Sequence, residues 1–500
     1  MWSFIILINQ KMSDLVQPKV EQSDRSINES QIHKFRPLTP DSRENSQPVQ
    51  VVETEAKVYQ KTEAELIQQQ DSSQKIEKST IFGSAFMITN LCLGTTIFTF
   101  AVRAKAFGLI WFLVFCVIVG AINYWSIMRC VYASSRCKVD DYSEITEQIM
   151  GKKMRIVLNV FLIIYSYGFM MCFLSLMYIL LGRFIHSAGY TEDYPDFSKF
   201  NDSIWGKAYI KYPIFIGICF CLSLMCLIKD INKLNFSAYI GVIAVVYSLF
   251  VVMIECDSYY KHYKKNVYIE EDKSTHTNWI NLGDAFDKKL SFFIGLSSLF
   301  AAYSCHPGVF PIYAGFKFQE NGLNKMKWGT FLGTLLTTIL HIISITCSFL
   351  TDPYSPEDLI VYRKNKGNGK DVAMVIAKLF VSLSLIFTYP GYFFALRLSI
   401  ANSFTGGQIS NKFNYLFTFL STFGCGIVAA VYDKILNYLS YIGGFLSVFI
   451  CYMFPTLLCI YSSEKPFTYW KNLLQFILAT FLCILGIMAG ILTIIDDVSG

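Results

Sequence analysis

The sequence predicts an all-α integral membrane protein, and three observations carry that reading. About eleven apolar runs, each close to the roughly 20 residues that cross a bilayer, fill the chain from Ile81 to Ile495. Charged residues make up only 16% of the 500 and hydrophobic ones 53%, whereas soluble domains are roughly 25% charged. Two of the runs, the first and the sixth, are interrupted near their midpoints by Gly, Pro and hydroxyl residues. Backbone that leaves a helix at that depth must be buried in protein or line a cavity, where its free groups can hold a ligand.

Residues 1–80 precede the first run. Trp2–Ile8 is a brief apolar patch without a basic flank or a small-residue cleavage site, which argues against a cleaved signal, and Met12 is an equally good start. The remainder is rich in Gln, Ser, Glu and Lys and nearly free of aromatic residues. Such a composition buries too little surface to offset its ordering entropy, so residues 1–80 are expected to be a disordered tail and residues 81–500 the membrane domain.

The predicted spans are Ile81–Val102, Phe107–Met128, Ile156–Leu181, Ile210–Ile228, Phe236–Ile254, Leu290–Tyr313, Trp328–Leu350, Val372–Leu396, Tyr415–Val431, Ile435–Ile460 and Leu473–Ile495. Trp111, Tyr209, Trp328 and Trp470 sit near their ends, where amphipathic rings favour the interface. Nearly all 15 cysteines fall inside the runs, without the clustered pairs of a zinc site, and read as small packing residues. A net charge of +6 is scattered over loops and tail, with no aromatic-basic alternation, which excludes a nucleic-acid partner and leaves lipid as the neighbour.

Loop charges divide on orientation. With the tail inside, Arg129, Arg136, Lys138, Lys152, Lys153 and Arg155 lie inside, but Lys261, Lys264, Lys265, Lys273, Arg363, Lys364 and Lys366 lie outside. The sequon Asn201-Asp202-Ser203 favours a cytoplasmic tail, since it is usable only on the lumenal side.

Candidate chemistry gathers at the interruptions. The first supplies Asn90, Gly94, Thr95 and Thr96: Gly94 lets the chain leave the helix, Asn and Thr oxygens suit a sodium ion or an amino group, and exposed amides suit a carboxylate. A packing face of small residues is the competing reading. In the sixth run Pro307 removes a donor and Gly308 permits a turn after Tyr303-Ser304-Cys305-His306. His306 is the imidazole favoured for function, whereas His341 is read as a neutral ring bonded to a carbonyl. In the eighth run Ser384 and Thr388 are four apart and share a face, which presents two hydroxyls to an ion or bonds them back to their own helix. No Asp or Glu sits at a span centre, which argues against a carboxylate proton relay.

Gly83-Ser-Ala-Phe86-Met-Ile-Thr-Asn90-Leu-Cys-Leu-Gly94-Thr-Thr-Ile97 resembles the first-helix signature of the amino acid/auxin permease family, which includes sodium-coupled neutral amino acid transporters. Asp141-Tyr142-Ser-Glu144 with Gly151, Cys305-His306-Pro307 with Pro311-Ile312, Tyr389-Pro390 through Arg397, and Gly443-Gly444 with Pro455 resemble further segments of that family. The resemblance implies a leucine-transporter-type fold in which spans one to five recur inverted as six to ten, with an eleventh added and helices 1 and 6 broken. It also implies a cytoplasmic N-terminus. By residue matching it implies a substrate site at Leu93, Gly94, Thr95, Thr96, Ser304 and His306, and a sodium site at Asn90 and Thr388 with Ser384 a weaker ligand. Two positions depart from the pattern: Thr96 stands where the family usually has a second Gly, and Ala101 where it often has Pro.

The function expected is secondary active transport of a small neutral amino acid by alternating access, coupled to Na⁺ or H⁺ and needing no cofactor, in the plasma membrane or a vacuolar or lysosomal one. An amino acid sensor without useful transport is the alternative. A membrane enzyme using His306 as base is a weaker one, since no nucleophile, metal cluster or acidic partner stands near it.

Overall fold

With apolar side chains at nearly every position of the runs and no water at their depth, the backbone can satisfy its polar groups only within each segment, and helices result. The computed structural model describes residues 79–189, 207–227, 235–267, 291–317, 319–352, 359–362, 371–404, 410–432 and 435–499, all within one compact unit, Ile76–Gly500. The expectation of a disordered tail, apart from Ser79 and Thr80, and the Asn201 sequon lie outside the described residues.

The helices, in order, are α1 (Ile81–Cys92), α2 (Phe100–Phe107), α3 (Leu109–Cys137), α4 (Tyr142–Met150), α5 (Lys152–Gly189), α6 (Ala208–Cys226), α7 (Asn235–Val267), α8 (Ser291–Ala302), α9 (His306–Ala314), α10 (Gly322–Thr351), α11 (Val372–Phe404), α12 (Asn411–Val431), α13 (Ile435–Tyr441), α14 (Phe454–Tyr461) and α15 (Trp470–Ser499). Two π-helical stretches, Ile442–Ser447 and Phe449–Met453, join α13 to α14. Among the described residues nine helices are long and apolar enough to cross a membrane, counting Asn437–Tyr461 as one. Several outrun the apolar windows, α3 reaching Cys137 and α5 Gly189, because hydropathy marks the stretch facing lipid whereas the helix continues into polar surroundings.

The two interrupted runs are the short pairs α1–α2 and α8–α9. Leu93 still donates its N–H to the Thr89 carbonyl, but at Gly94 (φ −33°, ψ −151°) the chain leaves the helix, and a 3₁₀ turn over Thr95–Phe98 leads into α2. In the sixth run the break covers Tyr303–Cys305, just before the His306-Pro307 pair. Pro307 therefore sits in the first turn of α9, where its missing N–H costs nothing. Pro390, by contrast, lies inside an unbroken α11.

Small residues let the first pair lie close to α10. An ideal Cβ at Gly333 would stand 2.9 Å from the Ala85 carbonyl oxygen, and the Thr89 hydroxyl donates to the Gly333 carbonyl at 3.1 Å. At one end of the bundle α4 ties several helices together. Asp141 caps it by accepting from the Glu144 N–H at 2.8 Å. Lys317, just beyond α9, pairs with Asp140 at 3.0 Å, Asn402 of α11 donates to Asp141 at 3.2 Å, and Arg155 pairs with Glu147 and reaches the Asn402 carbonyl. Carbonyls near the second π stretch are met by side chains from elsewhere: Tyr142 donates to Ile450 at 2.7 Å, and Ser126 of α3 donates to Cys451.

Candidate functional site

The last turn of α1 and the second break meet at a cavity of about 150 Å³. Asn90 and Leu91 from the end of α1, Ser304, Cys305, Pro307 and Gly308 from the second break, and Thr388, Gly391 and Tyr392 from α11 line its inner part. It extends to Asp140, Asp141, Tyr142 and Ser143 at the α4 end. Its size is well below the roughly 300 Å³ at which drug-sized pockets begin, and suits a small metabolite.

Aromatic packing fixes the walls. Tyr392 stacks on Phe169 with centroids 4.7 Å apart and meets Phe173 edge-on at 5.3 Å, and Tyr165 packs edge-on against Phe169 at 4.9 Å. The Tyr165 hydroxyl donates to the Ser304 carbonyl at 2.9 Å, satisfying a backbone acceptor that the break in the helix had freed. Tyr142 and Phe310 pack at 4.6 Å nearer the α4 end.

A second, much smaller cavity of about 10 Å³ adjoins the first and shares Asn90 and Thr388 with it. Leu93, Gly94, Phe98, Val245, Val381, Ser384 and Leu385 complete its wall. Its volume is that of roughly one water-sized sphere. Ser384 donates not to its own helix but to the Gly241 carbonyl of α7 at 3.3 Å, whereas Thr388 donates back to the Ser384 carbonyl at 2.8 Å. In that arrangement the hydroxyl proton of Thr388 is engaged inside the helix and its lone pairs remain available to a cation.

The structure thus gathers six of the nine residues singled out in the sequence: Asn90, Leu93, Gly94, Ser384 and Thr388 around the small cavity, and Ser304 on the large one. Thr95 belongs to the 3₁₀ turn, and its side chain is outside the description. Thr96 is buried but lines neither cavity, its carbonyl accepting from the Thr99 hydroxyl at 2.8 Å. His306 also lines neither cavity: it is fully buried, with Nε2 3.1 Å from the Ser126 hydroxyl and its ring edge-on to Tyr452. His341 is not bonded to a carbonyl as expected. Neither of its nitrogens has a partner among the described residues, and the ring packs edge-on between Phe100 and Tyr303, at 5.1 and 5.0 Å.

Sequence reading missed Tyr165 and Tyr392 as wall residues, Gly241 as the acceptor beside the small cavity, and Asp141 at the α4 end. Phenols inside otherwise apolar runs were the signal for the first two. For Gly241 nothing local marks the role, because it depends on Asn90 and Ser384 arriving from other helices.

Electrostatically the inner cavity is built from backbone ends rather than charged side chains. α1 ends there, presenting its carbonyl pole, and α9 begins there with no side chain capping Cys305. A cation is favoured at the first and an anion at the second. The carboxylates of its wall, Asp140 and Asp141, belong to the α4 end, and burial holds the Asp141 carboxyl above the usual carboxylate range, more than its hydrogen bond from Glu144 offsets.

Residues 77–496 match the profile of the transmembrane amino acid transporter proteins. The chain belongs to that family. Among curated relatives, the sodium-coupled neutral amino acid symporter 2 of Danio rerio is 21% identical over 64% of this chain and 63% of its own length. The amino acid transporter AVT6E of Arabidopsis thaliana is 20% identical over 64% and 63%. Alignments to the curated relatives cover from 36% to 63% of those proteins, less than two thirds of their length. Among solved structures, the Eremococcus coleocola manganese transporter, crystallised with an aromatic bis-isothiourea compound, superposes with a TM-score of 0.52 at 11% identity, over 82% of this chain and 86% of that one. That likeness concerns the fold, which is leucine-transporter-like and, among the described residues, all-helical. The family and its relatives are transporters rather than enzymes.

Proposed function

We propose that this family member carries small neutral amino acids across a membrane by alternating access, with a sodium ion bound beside the substrate. The observation that carries the reading is the pair of adjoining cavities that share Asn90 and Thr388. The larger offers a cation-favouring helix end and an anion-favouring one between apolar walls, which complements the zwitterionic part of an amino acid with an uncharged side chain. The smaller offers neutral oxygens, which suit sodium and provide no carboxylate for a proton. The sodium-coupled symporter and the plant amino acid transporter among the relatives support the same reading.

The α4 end would face the cytoplasm. Arg129, Arg136, Lys138, Lys152, Lys153, Arg155, Lys317, Lys325, Lys327, Lys412, Lys465 and Lys471 lie toward that end, against Arg103, Lys105, Arg183, Lys207, Lys211, Lys261, Lys264 and Lys265 toward the other among the described residues. The large cavity reaches the α4 end, so the conformation described would be the inward-facing one. Taking about 2.3 kcal/mol per charge per 100 mV and about 1.4 kcal/mol per tenfold gradient, one coupled sodium sustains accumulation of roughly several hundredfold.

The test is uptake of labelled alanine into proteoliposomes under an inward sodium gradient and after replacement of sodium by choline. Concentrative uptake only with sodium supports the proposal. Saturable binding without flux points to a sensor instead, and uptake driven equally by a proton gradient in choline removes the sodium assignment.

A further inference from the structure

α7 and α10 run side by side in the same direction. Gly241 near the start of α7 lies against Asn90, and Gly333 in the first half of α10 accepts from Thr89, the preceding residue of α1. About four turns further along both helices, roughly 20 Å, Cys256 and Cys347 meet. The Cys256 thiol donates to the Cys347 carbonyl at 3.5 Å, which brings the two thiols close enough to interact electrostatically. Thr351 closes the group by donating to the same carbonyl at 2.7 Å. Cys256 is buried while Cys347 is partly exposed, one turn before α10 ends at Thr351–Asp352. Glu255 and Asp257 flank Cys256 in the chain, which puts the pair at the edge of the apolar zone rather than at its centre. This end of α10 is opposite to the α4 end, because α10 begins just after Lys317, which pairs with Asp140.

We infer that Cys256 and Cys347 form a disulfide bond that staples α7 to α10 on the non-cytoplasmic side. The inference rests on the proposed orientation only for which side is oxidising. Thiols on that side pass through a compartment that contains oxidised dithiol carriers, whereas the cytoplasmic side is reducing. Cys347, the more exposed thiol, attacks the carrier disulfide as its thiolate and forms a mixed disulfide with loss of one carrier thiol. Cys256 then displaces the second carrier sulfur, so one S–S bond forms in this protein and the carrier leaves with both hydrogens as a dithiol. The staple fixes the outer halves of the two helices against each other. Their Gly241 and Gly333 halves, beside α1 and the cation cavity, are left to move.

The experiment uses the full chain in native membranes. Free thiols are blocked under denaturing conditions with N-ethylmaleimide, the protein is reduced, and newly released thiols are labelled with a heavier maleimide before peptide mapping. Cys256 and Cys347 should carry the heavier label, and in C256S and C347S the surviving partner should carry the lighter one. Both cysteines carrying the lighter label in the parent protein would overturn the inference. A further arm separates it from the orientation: an impermeant phosphine reductant applied to sealed cells should release the pair. If release requires permeabilising the cells but then succeeds on internal membranes that remain sealed, while the labelling result stands, the bond is real and faces the cytoplasm, and the proposed orientation is wrong.

Discussion

The Ser384 hydroxyl donates 3.3 Å across a helix interface to the Gly241 carbonyl, and the Asn90 carboxamide oxygen comes to the same spot from a third helix. An ideal Cβ built on Gly241 would stand 2.7 Å from that carboxamide oxygen and 3.3 Å from the Ser384 hydroxyl. Three helices therefore converge on the proposed cation cavity with no room for a methyl group. Gly241→Ala is expected to push the Asn90 carboxamide aside and raise the sodium concentration for half-maximal uptake by roughly tenfold, the equivalent of about 1.4 kcal/mol. Surface expression should stay near the parent level, because Ala is a better helix former than Gly. An unchanged sodium requirement in a normally expressed variant would separate Asn90 from the ion.

Thr388 separates the two roles a membrane hydroxyl can play. Its proton is held by the Ser384 carbonyl at 2.8 Å, so only its lone pairs can serve the cavity. Thr388→Ser keeps that geometry and should leave the sodium dependence close to normal. Thr388→Ala removes the oxygen and should raise the sodium requirement more than it lowers protein at the membrane. Equal uptake curves for the two variants would assign Thr388 to packing alone.

The spans, and the places where two of them break, were legible because hydrophobic length and Gly/Pro punctuation are local properties of the chain. The candidate ion ligands were legible for a related reason: Asn90, Ser384 and Thr388 are polar groups in apolar runs that need a purpose. The orientation of a side chain around its helix was not. Thr96 and His306 stand beside the breaks in sequence, yet the 3₁₀ turn buries Thr96 away from both cavities and the first turn of α9 aims His306 at Ser126. Both were assigned by residue matching to the family, and matching by sequence position does not carry the phase shift that a break imposes on the residues after it.

Substrate size depends on which side chains stand on the wall of the large cavity. Tyr392 forms part of the large cavity's wall, held there by Phe169 and Phe173, whereas Thr96 does not reach it. Tyr392→Ala should move competition uptake toward leucine over alanine by tenfold or more, since one methylene in a close-fitting pocket is worth roughly 1–3 kcal/mol. Thr96→Gly should leave the ratio unchanged. The reverse pattern would mean that the substrate sits against the 3₁₀ turn.

Asp141 supplies a pH dependence with a definite sign. Burial raises its folded-state pKa above the unfolded value, so the folded protein holds this proton more tightly than the unfolded chain. The carboxylate thus costs stability above the folded pKa, and the cost is relieved as pH falls through it. Asp141→Asn keeps an acceptor for the Glu144 N–H, Asn being as good a cap as Asp. In detergent, the variant should unfold at a higher temperature than the parent at pH 7.5, with the gap narrowing toward pH 5. A gap that widens on acidification would contradict the sign.

His306 tests whether an imidazole at the second break moves protons or holds structure. Its Nε2 lies 3.1 Å from the Ser126 hydroxyl, and Ser126 in turn donates to the Cys451 carbonyl in the π stretch, so the start of α9 is linked through α3 to the tenth span. Among the described residues no carboxylate bonds the ring to complete a relay, and the ring is off both cavities. Glutamine can hydrogen-bond the same hydroxyl with its amide, whereas leucine leaves Ser126 without that partner in a buried site, at a cost of about 1–3 kcal/mol. His306→Gln should therefore keep concentrative alanine uptake, and His306→Leu should lose much of its folded protein. If His306→Gln instead equilibrates alanine without accumulating it, while binding sodium and substrate normally, the imidazole carries the coupling proton and the neutral-oxygen site cannot be the only coupling element.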